Sequence, residues 1–382
     1  MKRFPFVFAL LAATLADACL YKDLGNTRMW LLAPLSTVMC TFSFVAILRG
    51  FHHNTFMRVL PLATMFFIVP KIIFMVFSFS GTRHIGLLAA SSTIIAMGYG
   101  YFFGCRNIKV RHVVCKSDIL PKDFEDYRIL QISDLHLGTS FYGYSFMKKL
   151  LKRVEDIHPD LIVFTGDLVN TDVEEAFPFI RYLKKIQAPN GVYSVMGNHD
   201  YCEYSIKNTW KRKQTRSTGK EPYAVRGRRV LHYLERKMGW HLLLDEHAII
   251  SHKRPGESGK GEIALIGVNN IAKFPFPVYG DLGKATEGLP PGMFKILLSH
   301  DPSHWKMGVV HKTDIALTLS GHTHGGQLKL GRFSPIRWMY REWGGIYTED
   351  SQILYVSSGL GGSVPFRLGA SPEVNVIKLK RA

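Results

Sequence analysis

The chain has 382 residues, with 48 Lys and Arg against 30 Asp and Glu and a formal net charge of +18. That length exceeds one typical domain, and the positive excess favours an anionic partner: phospholipid, a phosphorylated substrate or nucleic acid. The five cysteines (Cys19, Cys40, Cys105, Cys115, Cys202) are scattered with no CxxC pair, which excludes a disulfide framework and a thiolate metal site and agrees with a reducing compartment.

Apolar residues crowd into the first hundred positions, in four stretches: Phe4–Leu20, Met29–Leu48, Val59–Ser80 and Ile85–Cys105. A membrane-crossing helix needs about 20 mainly apolar residues. The last three stretches meet that length, whereas the first is short and contains Asp17. The expectation is an all-α transmembrane region over residues 1–106 with about four spans. The first stretch has an alternative as a cleaved signal peptide, since Lys2 and Arg3 precede it. Lys71 interrupts the third, where it can snorkel to the interface or face the bundle interior.

With four spans both ends of this region lie on one side. That side collects eight basic residues (Lys2, Arg3, Arg49, Arg58, Arg106, Lys109, Arg111, Lys116) against three (Lys22, Arg28, Arg83) on the other. Positive connectors stay cytoplasmic. The expected location is therefore the cell (inner) membrane, multi-pass, with the following domain in the cytoplasm. If the first stretch does not span, the densest charge still follows the last one, and the domain stays inside.

Residues 107–126 read as a linker and first strand, and 127–382 as a separate domain. Short apolar runs ending in polar clusters predict strands at Arg128–Ser133, Leu161–Phe164, Gly191–Met196, Glu262–Val268, Phe294–Ser299, Ile315–Ser320 and Ile353–Ser357. Phe146, Leu150, Leu151, Val154 and Ile157 have helical spacing and predict a helix over Ser145–His158. Strand, helix, strand in succession argues for α/β layers, with chemistry beyond the carboxyl ends of the strands.

Metal-binding side chains fall at those ends repeatedly: Asp134-Leu-His136, Gly166-Asp167, Gly197-Asn198-His199-Asp200, His300 and Gly321-His322-Thr-His324. Any one of these would be unremarkable as a hydrogen-bonded structural residue. Five clusters, each just after an apolar strand, point to two metals close together. A bridging carboxylate lets two cations sit about 3.5–4 Å apart, where they activate water and clamp both ends of an in-line phosphoryl displacement. Oxygen and imidazole donors suit Mn²⁺, Fe or Zn²⁺. In Asp134-x-His136 and His322-x-His324, alternate residues of an extended strand end would reach one ion. The glycines at 166, 197 and 321 permit tight turns against the site.

These five ordered motifs, DxH, GDxx, GNHD, a lone His within Leu298-Ser-His300-Asp-Pro, and GHxH, resemble those of the calcineurin-like metallophosphoesterases, in particular their membrane-anchored, YkuE-like branch. The resemblance runs from about Tyr127 to Leu379. It implies a four-layer sandwich of two mixed β-sheets flanked by helices. It also implies that Asp134, His136 and His324 bind one divalent ion, that Asp167 bridges, and that Asn198, His300 and His322 bind the second. By the same resemblance His199 is not a ligand but protonates the leaving oxygen or steadies the phosphoryl charge, and Asp200 orients it. Mn²⁺ is the expected metal, with Fe or Zn²⁺ as alternatives.

A basic insertion near 203–230 carries Lys207, Lys211, Arg212, Lys213, Arg216, Lys220, Arg226, Arg228 and Arg229, with Trp210 and Tyr223 interleaved. It reads either as a solvated loop or as a cap that gathers anionic substrate or touches the leaflet. Nucleic acid is not expected as a partner of a membrane-anchored enzyme. Arg367 is a candidate fork for a phosphate oxygen, with a structural salt bridge as its alternative. The overall expectation is a hydrolase of a phosphoester or pyrophosphate, acting on a lipid-linked or amphipathic substrate of the UDP-2,3-diacylglucosamine kind in lipid A synthesis. The alternatives are a phosphodiesterase of soluble nucleotides and a non-catalytic metal-bound scaffold.

Overall fold

A computed structural model describes residues 14–18, 37–38, 64–139, 143–204, 223–253, 259–362 and 364–382. The chain divides into two compact units, Met1–Phe103 and Gly104–Ala382.

In the first unit a π-helical turn (Thr64–Ile68) leads into α1 (Val69–Phe79), and α2 (Arg83–Phe102) follows a short turn at Gly81, whose φ is +76°. The two helices lie close at Gly86, where a Cβ would stand 2.7 Å from that of Phe77. Among the described residues one helical stretch, Arg83–Arg106, is long and apolar enough to cross a membrane, and Phe66–Phe79 is a shorter apolar helix. The stretches Phe4–Leu20 and Met29–Leu48 lie almost wholly outside the described residues. Asp17 and Thr37 are exceptions with a clear role. Lys71 Nζ lies 2.7 Å from Asp17 Oδ1, and the Thr37 backbone N–H and hydroxyl donate to Asp17 Oδ2 at 2.8 and 2.7 Å. Lys71 therefore faces inward, since a buried charge persists only where it is paired.

The second unit contains β1 (Lys109–Lys116), β2 (Arg128–Ile132), α3 (Tyr144–Ile157), β3 (Leu161–Phe164), β4 (Val192–Ser194), α4 (Tyr223–Met238), β5 (His241–Leu242), β6 (Glu246–His252) and β7 (Gly261–Gly267). They are followed by β8 (Lys295–Leu298), β9 (Leu317–Ser320), β10 (Gly345–Glu349), β11 (Gln352–Val356) and β12 (Glu373–Lys380). Two six-stranded mixed sheets result, ordered β1-β12-β2-β3-β4-β5 and β10-β11-β9-β8-β7-β6. Each of the seven predicted strands is present within two residues of its expected ends. The strands β5, β6, β10 and β12 were not predicted from the sequence.

The layering follows from side-chain alternation with a period of two. Ile129, Leu161, Val163, Ile263, Leu265, Ile296 and Leu298 share one core with residues of both sheets, which places it between them. Their neighbours Leu130, Ile162 and Phe164 turn to the opposite face and pack with Phe146, Met147, Leu150 and Val154 of α3. Ile266 and Leu297 do the same on the second sheet, against Trp305 and Val309. Strands buried on both faces need continuous apolar runs, which is why β2, β3, β8 and β9 were legible. Within the basic insertion, residues 205–222 lie outside the description, and Tyr223 begins the helix α4.

Candidate metal centre

The predicted motif residues follow the carboxyl ends of β2, β3 and β4 in one sheet and β8 and β9 in the other. All of them come together. Their backbones are unusual: φ is positive at Asp134 (54°), His136 (42°), Asp167 (59°), His322 (72°) and His324 (54°). A left-handed conformation costs a non-glycine residue about 1–2 kcal/mol. β2 has already ended at Ile132 and β9 at Ser320, so the expected extended geometry of Asp134-x-His136 and His322-x-His324 gives way to left-handed turns. His322 and His324 fall in different ligand groups instead of reaching one ion. Two glycines make room. A Cβ on Gly197 would collide with the Asp167 carboxylate, and one on Gly359 (φ +66°) would stand 2.5 Å from Asp134 Cβ.

Asp167 is the centre of the arrangement. Its Oδ2 lies 3.3 Å from His136 Nε2 and 3.1 Å from His300 Nε2, one on each side. On the first side Asp134 Oδ1 lies 4.0 Å from His136 Nε2 and 3.8 Å from His324 Nδ1. On the second, His322 Nδ1 lies 2.9 Å from Asn198 Oδ1 and 3.3 Å from His300 Nε2. Three groups of ligand-capable side chains result: Asp134, His136 and His324; His136, Asp167 and His199; Asp167, His300 and His322.

The imidazoles are held from behind, which fixes the nitrogen each presents. His136 Nδ1–H donates to Asn170 Oδ1 at 3.2 Å, and His300 Nδ1–H to the Thr165 carbonyl at 2.7 Å. His322 Nε2–H donates to Tyr340 Oη at 2.8 Å, and that hydroxyl donates to Asp301 Oδ2 at 3.0 Å. Asn170, Tyr340 and Asp301 were not singled out from the sequence. Asp301 directly follows His300, but Tyr340 lies beyond every motif and only the fold brings it close.

The residues present fit divalent ions. His136 Nε2 and His324 Nδ1 are buried without a hydrogen-bond partner, and each is aimed at a carboxylate oxygen. Burial opposes charge on His300, yet the Asp167 and Asp134 carboxylates outweigh it and lift its pKa to about 10. Burial likewise disfavours a charged Asp167, but its imidazole neighbours hold it well below the usual carboxylate range. An ionised Asp167 among imidazole nitrogens is a donor set that suits a divalent cation.

Two assignments change. Asp200 does not touch the His199 ring. Its carboxylate accepts the backbone N–H groups of Asp167 (2.7 Å), Leu168 (2.8 Å), Val169 (3.1 Å) and Gly197 (3.0 Å). The Asn170 carbonyl orients His199 instead, accepting from its Nδ1–H at 2.6 Å, and burial lowers the pKa of that ring to about 4. Arg367 is 1% exposed and does not reach the cleft. Its guanidinium donates to the carbonyls of Ser358 (2.7 Å), Gly361 (3.2 Å) and Ala370 (3.0 Å), tying down the glycine-rich loop beside Asp134. Those carbonyls would otherwise be buried without donors.

A cavity of about 270 Å³ opens onto the centre. Asp167, Asn198, His199, His322 and His324 line it together with Phe276, Ile336, Met339 and Tyr340, and the Phe276 ring packs edge-on against His322 at 4.8 Å.

Fold and site together define a metal-dependent phosphoester hydrolase. The chain belongs to the calcineurin-like phosphoesterase family, whose profile matches residues 127–326. It is 31% identical to the uncharacterized metallophosphoesterase YkuE of Bacillus subtilis, over 77% of this chain and 94% of that one. It is 28% identical to a transmembrane protein with metallophosphoesterase domain from Danio rerio, over 79% of this chain and 64% of that one. It is also 28% identical to the UDP-2,3-diacylglucosamine pyrophosphatase LpxG of Chlamydia muridarum, over 68% of this chain and 86% of that one.

Proposed function

We propose that the protein is a multi-pass membrane enzyme whose cytoplasmic catalytic unit hydrolyses a phosphoester or pyrophosphate bond in a lipid-linked or amphipathic substrate. The observation that carries this reading is the mixed lining of the cavity, in which Phe276, Ile336 and Met339 adjoin the metal-ligating side chains. A substrate with a phosphate and an adjoining apolar group matches that lining. The likeness to LpxG makes a UDP-2,3-diacylglucosamine-type substrate the leading specific candidate.

Asp134, His136 and His324 would hold one divalent ion and Asn198, His300 and His322 the other, with Asp167 placed to serve both. Such ions, Mn²⁺ by donor preference with Fe or Zn²⁺ as alternatives, supply Lewis acidity and an activated water. His199 presents Nε2 to the cleft because Asn170 holds its other nitrogen. The negative charge of a bound phosphoryl group favours a proton on that Nε2, which His199 then gives to the leaving oxygen.

The test is turnover of UDP-diacylglucosamine, phospholipids and linear and cyclic nucleotides by the purified chain with Mn²⁺ in detergent micelles. Faster turnover of the lipid-linked diphosphate is expected. Faster turnover of soluble nucleotides would overturn the substrate assignment.

A further inference from the structure

Two loops frame the mouth of the cavity, residues 273–279 and 329–341. Each turns one set of apolar side chains inward and another outward. Phe276, Ile336 and Met339 line the cavity. On the outside Phe274 is 93% exposed, Trp338 76% and Leu330 62%, with Phe333 stacked edge-on against Trp338 at 5.6 Å. The loops are joined: Lys273 Nζ lies 3.9 Å from the centre of the Tyr340 ring and donates to the Met339 carbonyl. Side chains of this size rarely gather in solvent without a partner to cover them.

The charge around the patch says which partner. Residues 329–341 contain Lys329, Arg332, Arg337 and Arg341 and no Asp or Glu. Arg332, Arg337 and Arg341 are exposed and have no carboxylate partner among the described residues. Aromatic and aliphatic tips set among unpaired arginines match the boundary between acyl chains and anionic headgroups, where Trp is favoured and basic residues are attracted. Protein interfaces also favour Arg and aromatic side chains, but four basic residues with no acidic one over 329–341, on a chain of net charge +18, favour an anionic surface.

We infer that these two loops form a lip that seats the catalytic unit on an anionic lipid bilayer, with Trp338 and Phe274 in the interface and the arginines on the headgroups. The lip surrounds the cavity entrance, so an amphipathic substrate passes from the leaflet to the metal centre without crossing water. This rests on the proposed lipid-linked substrate. It involves a surface separate from the basic insertion, and it concerns where the unit sits rather than what it cleaves.

The test uses the full chain in nanodiscs rich in phosphatidylglycerol. Tryptophan emission is compared between the wild type and Trp338→Phe, so that the difference reports Trp338 alone. Expected is quenching of that difference by brominated acyl chains and protection from aqueous acrylamide. Arg332→Glu, Arg337→Glu and Arg341→Glu combined should reduce the bromolipid quenching, weakening surface attraction by about fivefold for each charge removed. Turnover of a soluble nitrophenyl phosphodiester should be unchanged, since none of these residues lines the cavity. Quenching by acrylamide but not by bromolipid would overturn the lip. Protection from both quenchers would also overturn it, because protein would then cover the patch. Bilayer contact without turnover of any lipid-linked substrate would overturn the substrate assignment and leave the lip standing.

Discussion

The carboxylate of Asp200 accepts the backbone N–H of Asp167 at 2.7 Å, so the residue placed between the two ligand groups is held by its main chain and not only by its side chain. Both Asp200 oxygens are used, each taking two backbone donors. Asp200→Asn replaces one oxygen with an amide that must face two N–H groups. The expected loss is about 3 kcal/mol of stability together with metal from both sides of the centre. Thermal melts and metal analysis of the purified variant check this. Wild-type melting with two metals bound would show that the loop stands without Asp200.

His199 should behave differently. Its backbone N–H donates to Asp167 Oδ1 at 2.9 Å whatever its side chain. His199→Ala is expected to keep its metals while turnover falls by roughly 10²–10⁴, the usual contribution of a general acid. Esters with a nitrophenolate leaving group need little protonation and should suffer less. Equal losses on activated and unactivated esters would remove the acid role.

Glu235 offers a pH signature away from the ligands. Burial raises its carboxyl pKa from 4.5 to about 8, although the Ser194 hydroxyl donates to it. The folded protein thus keeps a proton that the unfolded chain releases. Stability from this group is complete below about pH 4.5 and falls as pH rises towards 8, by at most about 1.4 kcal/mol per unit. Glu235→Gln stays neutral, so its advantage over the wild type should widen steadily from pH 5 to pH 8. Melting curves of both proteins in detergent give the comparison, and a gap independent of pH would place an ionised carboxylate there.

The orientation rests on eight basic residues against three. A fluorescent protein fused to the carboxyl terminus should glow, and an alkaline phosphatase fusion should be inactive. An active phosphatase fusion would place the catalytic unit on the opposite face of the membrane and move the search for its substrate there.

Much of the centre was legible because each ligand cluster sits directly after a strand buried on both faces. Such strands are continuous apolar runs, and their polar ends stand out. β12 was missed because its residues, such as Asn375 and Lys378, alternate without that contrast. Asn375 is nonetheless fully buried, its side chain bonded to Ser357 and Tyr355.

The sequence by itself determined the candidate ligand types, their order and their place at strand ends, because these depend on local hydrophobic period and short motifs. It could not decide what each ligand's other atoms touch. Asn170 orienting His199, Tyr340 and Asp301 holding His322, and Asp200 holding the Asp167 backbone are contacts between distant segments, or between a side chain and the main chain. The same holds for Arg367. An arginine near a glycine-rich loop is equally suited to phosphate or to carbonyls, and only burial, which leaves it 1% exposed, assigns its donors to the backbone. Asp17 and Lys71 each looked like a flaw in an apolar stretch. Only the packing of separate segments makes them a pair, because the cost of burying one charge is offset by the other.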